Sequence, residues 1–121
     1  MPVTQSVRNP ITLSELLGGD ETRVLRVLRA FRNAANNDLL QLDAAVREGN
    51  AELARQTAYG LAMACHLIGE GFAGSQLDAL ARAEHQAAID PVMTQLIAHA
   101  RTALIDSIAR VSLRIEAADE D

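Results

Sequence analysis

Between Asp20 and Gly49 the apolar residues return at every third or fourth position: Val24, Leu28, Phe31, Ala35, Leu39, Leu42 and Val46. A strand needs a period of two, whereas this spacing gathers all seven side chains on one face of an α-helix. Asp20 is a suitable N-cap and Gly49 a suitable stop, so the helix is about 29 residues and roughly 43 Å long. A stripe of that length can be covered only by other long helices. Asn33, Asn36 and Asn37 form helix poorly and are expected to weaken its middle.

The rest of the chain is punctuated in the same way. Thr12 with Glu15 forms a capping box for a short helix over 12–17, stopped by Gly18-Gly19. Asn50 caps a helix over 51–68 with the inner stripe Ala54, Thr57, Ala58, Leu61, Ala64, Cys65 and Ile68. The stretch GEGFAG reads as a capping or flexible loop, after which Ser75 and Asp78 open a helix over 75–89. Asp90-Pro91 is a sharp joint. It opens a last helix over 91–117, which buries Met93, Leu96, Ile97, Ala100, Leu104, Ile108 and Val111 and frays into EAADED. The expected fold is all-α: a single domain over 1–121, an antiparallel up-down four-helix bundle with a short extra N-terminal helix as a lid.

Composition excludes the alternatives. Of the residues 49% are hydrophobic, yet the aromatics are only Phe31, Tyr59 and Phe72. Ala (22) and Leu (16) supply most of the apolar surface, which suits helices and argues against a β-sandwich or barrel. The net charge is −5 and all 11 basic residues are Arg, with no Lys. Scattered Arg in an acidic chain leaves no electrostatic footprint for nucleic acid or an anionic membrane. No apolar run approaches the roughly 20 residues that span a bilayer, and MPVTQSVRNP lacks a basic-then-apolar leader pattern. A single cysteine, Cys65, suits a reducing compartment. The expectation is a soluble, cytoplasmic protein.

The chemistry available is sparse. His66, His85 and His99 share no helical spacing, and His85 beside Glu84 points about 100° away from it. There is no HExxH and no second cysteine, so neither a metal nor a cofactor is expected. Ser75, Ser107 and Ser112 lack a strand-to-helix elbow, and GEGFAG lacks the GK[ST] of a phosphate loop. One face carries information. With the inner stripe of the 51–68 helix buried, Arg55, Tyr59, Ala62, Met63 and His66 fall opposite, with Gln56 at the edge. These six residues are the candidate partner-binding surface, since a small uncharged patch on a helix is a docking feature.

From Phe31 to Glu84 the sequence resembles a histidine-containing phosphotransfer (HPt) domain, the four-helix relay module of two-component signalling. Phe31, Leu42-x-x-Ala45 and Gly49-Asn50 follow the family's order, and Ala58-Tyr59-Gly60-Leu61-Ala62-Met63 occupies the place of its Ala-His-x-Leu-Lys-Gly motif. Ala64-Cys65, Ile68-Gly69, Leu77-x-x-Leu80 and Glu84 continue the series. The resemblance implies a receiver domain or a histidine kinase as partner. It also implies that Tyr59 stands where the family keeps its phosphoacceptor histidine, Ala62 where it keeps lysine and Met63 where it keeps glycine. A relay needs an exposed neutral imidazole as nucleophile, and a phenol protonated at neutral pH is a poor substitute.

Three functional readings follow. In the first, an HPt-like module binds its partner without carrying phosphate at the usual site, acting by occlusion or scaffolding. In the second, transfer moves to His66, seven residues beyond Tyr59 and about 10 Å along the axis. There Gly69 and Glu70 replace the lysine and glycine, Glu70 repels a phosphoryl group, and the end of the helix favours imidazolium. In the third, the chain is an unrelated helical interaction or assembly domain. None of the three calls for an enzyme active site or a small-molecule substrate.

Overall fold

The computed structural model describes residues 13–83 and 88–119. It contains α1 (Leu13–Leu16), α2 (Glu21–Glu48), α3 (Ala51–Leu67), α4 (Gly71–Ala81) and α5 (Pro91–Asp119), and no strand among the described residues. The protein is all-helical and compatible with a helical bundle. α2 packs against α3 and α5, α4 packs against α3 and α5, and α1 touches α2. No helix is long and apolar enough to cross a membrane, among the described residues.

Two of the helix junctions have almost no loop. At the end of α2, Gly49 adopts φ 65° and its amide donates to Val46 O at 3.2 Å, while Asn50 N donates to Ala45 O at 2.8 Å. This paired closure satisfies the last carbonyls and needs a left-handed residue, which glycine supplies without strain. Asn50 then serves as the N-cap of α3, its Oδ1 accepting from Leu53 N at 3.0 Å. The same closure recurs at the end of α3. Gly69, at φ 85°, donates to His66 O at 3.2 Å, and Glu70 N donates to Cys65 O at 2.8 Å.

That second turn corrects the expected loop. Of GEGFAG only Gly69 and Glu70 turn; Gly71 to Gly74 are the first four residues of α4, whose Gly74 amide already bonds Glu70 O at 3.0 Å. Glycine disfavours helix, but packing against α3 and α5 outweighs propensity here. α4 therefore starts four residues earlier than expected and ends at Ala81 rather than 89. Residues 84–87 lie outside the described part, as do His85, Glu84 and the proposed cap Thr12.

Other boundaries follow the sequence closely. Asp20 caps α2 by accepting from Arg23 N at 3.3 Å, and Asp90 Oδ1 accepts from Met93 N at 2.8 Å. α2 runs unbroken through Asn33, Asn36 and Asn37, with Phe31 and Ala35 buried in this stretch. α5 does not fray at 117: it continues to Asp119, which pairs with Arg29 of α2 at 2.7 Å.

The core is made of Leu and Ala with few large rings. Leu28, Leu42, Leu61, Leu77, Leu80 and Leu104 are buried beside Ala35, Ala45, Ala54, Ala58, Ala62, Ala73 and Ala100. Small side chains let neighbouring helices approach closely. Val46, assigned to the inner stripe of α2, is exposed at the helix end. Ala45 is buried in its place.

Polar links set the relative positions of the helices. Arg114 meets Glu21 at 2.9 Å, and Arg101 grips Asp43 through Nε at 2.9 Å and Nη2 at 3.2 Å. The start of α2 thus lies beside the end of α5, and the later turns of α2 beside the earlier part of α5. Exposed pairs of this kind add at most about 1 kcal/mol each.

Glu70 is different. Its side chain does not cap α4; its Oε1 accepts from the buried Ser107 hydroxyl at 2.6 Å and from Arg110 Nη2 at 2.7 Å. Charge-assisted bonds to a half-buried carboxylate are stronger than the surface pairs. Glu70→Ala should therefore cost about 1–3 kcal/mol in urea unfolding, and Arg23→Ala at the exposed start of α2 less than about 0.5 kcal/mol. Equal losses would remove Glu70 from this role.

Burial pushes the Cys65 thiol up to about 12, with the charge of Glu70 adding to the effect. The unfolded thiol ionises near 9.0, so the protonated core cysteine contributes stability below that pH and loses it as the pH rises toward 12. Cys65→Ala should flatten the fall in stability between about pH 9 and 11, measured by urea unfolding. An unchanged alkaline slope would contradict this.

Candidate docking face on the third helix

α3 is sandwiched between α2 and α4, so one side must be apolar and the other faces out. Ala51, Ala54, Arg55, Ala58, Leu61, Ala62 and Cys65 are buried. Gln56, Tyr59, Gly60, Met63, His66 and Leu67 are exposed. Two of the six residues assigned to the outer stripe are therefore corrected. Ala62 is 1% exposed and Arg55 is 5% exposed, with its Nη2 on Glu52 Oε1 at 2.8 Å. The buried positions follow i, i+3, i+4, i+7, which centres the inner stripe on Ala58 and Ala62 and leaves Thr57 and Ala64 at its border. The ladder Ala51, Ala54, Ala58, Ala62 carried that signal in the sequence.

What remains outside is apolar and continuous. Tyr59 is 63% exposed, Met63 60% and Leu67 54%, at successive spacings of four. From Gln56 to Gly69 the chain contains no Asp, Glu or Arg. A solvated helix face normally carries charge, which makes this one a candidate contact surface.

Gly60 lies in the same face. A Cβ added there would meet nothing within 4 Å, so no neighbour in the fold requires a bare backbone. Glycine in a helix interior costs about 1 kcal/mol relative to alanine. Nothing within the described fold accounts for its use. Gly60 and Leu67 belong to this face but carry no reactive group, so only their exposure marks them.

His66 belongs to a different arrangement. Its Nε2–H donates to Asp78 Oδ2 on α4 at 2.9 Å, and Arg82 approaches the same oxygen at 4.0 Å. The ring face lies on Gly74: a Cβ there would sit 2.7 Å from Cε1 and Nε2 and 2.9 Å from Nδ1. Nε2 is thus turned toward Asp78 of α4, and a phosphoryl group on it would displace, and be repelled by, that carboxylate. In this geometry His66 ties α3 to α4. Glu70, in the turn between α3 and α4, directs its carboxylate to α5 instead.

No group of three or more His, Cys, Asp or Glu able to hold a metal ion occurs among the described residues. Compared with protein-family models, curated proteins and solved structures, the chain matches none of them.

The close approach of His66 to Gly74 gives a test. In Gly74→Ala the new methyl collides with the ring, which must swing away and release Asp78. The substitution should cost about 1–3 kcal/mol in the native background and little or nothing in His66→Ala. The same cost in both backgrounds would mean that Gly74 does not serve His66.

Proposed function

We propose that this protein is an HPt-like signalling module that binds a receiver domain or a histidine kinase through the outer face of α3 and carries no phosphate at the family's usual site. In this reading the four longer helices form an antiparallel up-down bundle, as the pairings of Glu21 with Arg114 and Asp43 with Arg101 suggest. The module works in the cytoplasm, where its partners are. It holds its partner stoichiometrically, by occlusion or as a scaffold, and has no catalytic centre of its own.

The observation that carries the reading is the exposure of Tyr59 and Met63. These residues stand at the position of the phosphoacceptor motif, on a helix face free of charge. Tyrosine brings a large apolar area with a polar tip, and methionine adapts to irregular surfaces. Neither side chain replaces the imidazole or the lysine of a relay. Gly60 between them supports the same reading, because a bare backbone lets a partner helix come close. The Asp78 contact weighs against transfer through His66. An interaction domain unrelated to phosphorelays would use the same face, and the choice of partner separates the two.

The experiment is a calorimetric titration against receiver and histidine-kinase domains from the same cell. At least one class should bind the native protein. Met63→Arg, which places a charge in the contact, should weaken that binding at least about tenfold, or 1.4 kcal/mol, without changing helicity. A phosphorylated receiver should leave no acid-labile label on His66. Absence of binding by either class, or binding indifferent to Met63→Arg, would overturn the proposal, and label on His66 would establish transfer.

A further inference from the structure

A half-open cleft of about 420 Å³ lies between the last turns of α2 and the first turns of α5. Val46, Ile89, Ile97 and Ala98 give it apolar walls, and Asp43, Arg47 and Arg101 contribute charged groups. Its size falls within the roughly 300–1,000 Å³ of small-molecule sites. Val46 is 48% exposed in the last turn of α2, where its side chain borders the cleft.

The charges are not equivalent. Arg101 and Asp43 satisfy each other through two parallel hydrogen bonds of 2.9 and 3.2 Å, forming a neutral, rigid wall. Arg47 has no hydrogen bond or ion pair with any described residue, and it is exposed. Among the described residues the cleft therefore combines an apolar interior with one cation that has no partner, in a chain whose net charge is −5. Part of the attraction of Arg47 goes to the negative end of α2, whose last turn it occupies. Its guanidinium still has several donors to offer.

We propose that this cleft binds a small amphipathic anion. The apolar body lies against Val46, Ile97 and Ala98, and the single anionic head, a carboxylate or phosphate, is held by Arg47. The site is separate from the α3 face and does not depend on a phosphorelay role.

The test uses octanoate, octyl phosphate, octanol and octyltrimethylammonium, each well below micelle formation, followed by amide NMR shifts. One or both anions should bind saturably and move Val46, Ile97 and Ala98, and comparison of the two distinguishes a carboxylate from a phosphate head. Octanol should bind at least about fivefold more weakly and the cation not at all. Arg47→Gln, at an exposed position, should reduce anion binding to the octanol level, and Ala98→Phe should block it by filling the cleft. Failure of both anions to bind, equal binding of anion and alcohol, or indifference to Arg47→Gln would overturn the assignment.

Discussion

Glu70 holds the architecture at its tightest point. Its amide closes the end of α3 on Cys65 O at 2.8 Å, its carbonyl starts α4 at Gly74, and its carboxylate takes the buried Ser107 hydroxyl and Arg110 of α5. Three helices are thus positioned by one residue. Because no loop separates α3 from α4, the two must run side by side from the turn onward. Gly74 then comes level with His66, and the imidazole lies on bare backbone with Asp78 at its nitrogen. The pairing of α3 with α4 is what turns the Tyr59–Met63–Leu67 line away from the core.

That line is costly for an isolated domain. Exposed apolar side chains gain nothing from the fold, and Gly60 loses helix stability without a packing reason. Residues that weaken a fold locally are expected where another requirement acts, and contact with a partner is such a requirement. Under the proposed HPt-like reading the same residues leave no site for transfer: Tyr59 would stand in the acceptor's place, the buried Ala62 in the lysine's, and His66 already holds the Asp78 carboxylate. This combination is what the proposed binding role without phosphate rests on.

Much of the fold was legible because its signals are local. Asp20, Asn50, Gly49 and Asp90-Pro91 cap or stop helices through atoms within a few residues, and each does so as the sequence indicated. The start of α4 was not legible, since three glycines in six residues indicate a loop unless the neighbouring helices supply the missing stability. The burial of Arg55 and Ala62 is not legible for a related reason. A helix flanked by two others buries a wide stripe, and its centre depends on where the neighbours sit rather than on hydrophobicity alone. The His66–Asp78 contact and the Asp43–Arg101 wall join residues far apart in sequence, and only the register between helices brings them together.

The most direct test of the docking account uses the methionine methyl groups. Met63 is exposed on the α3 face and Met93 is buried at the start of α5, so one protein carries both probe and control. Methyl-labelled methionine would be observed by NMR while the partner that binds is added to saturation. The account predicts that the Met63 signal shifts or broadens while that of Met93 stays in place. A Met63 signal unchanged at saturation would contradict it, because the partner would then be bound elsewhere.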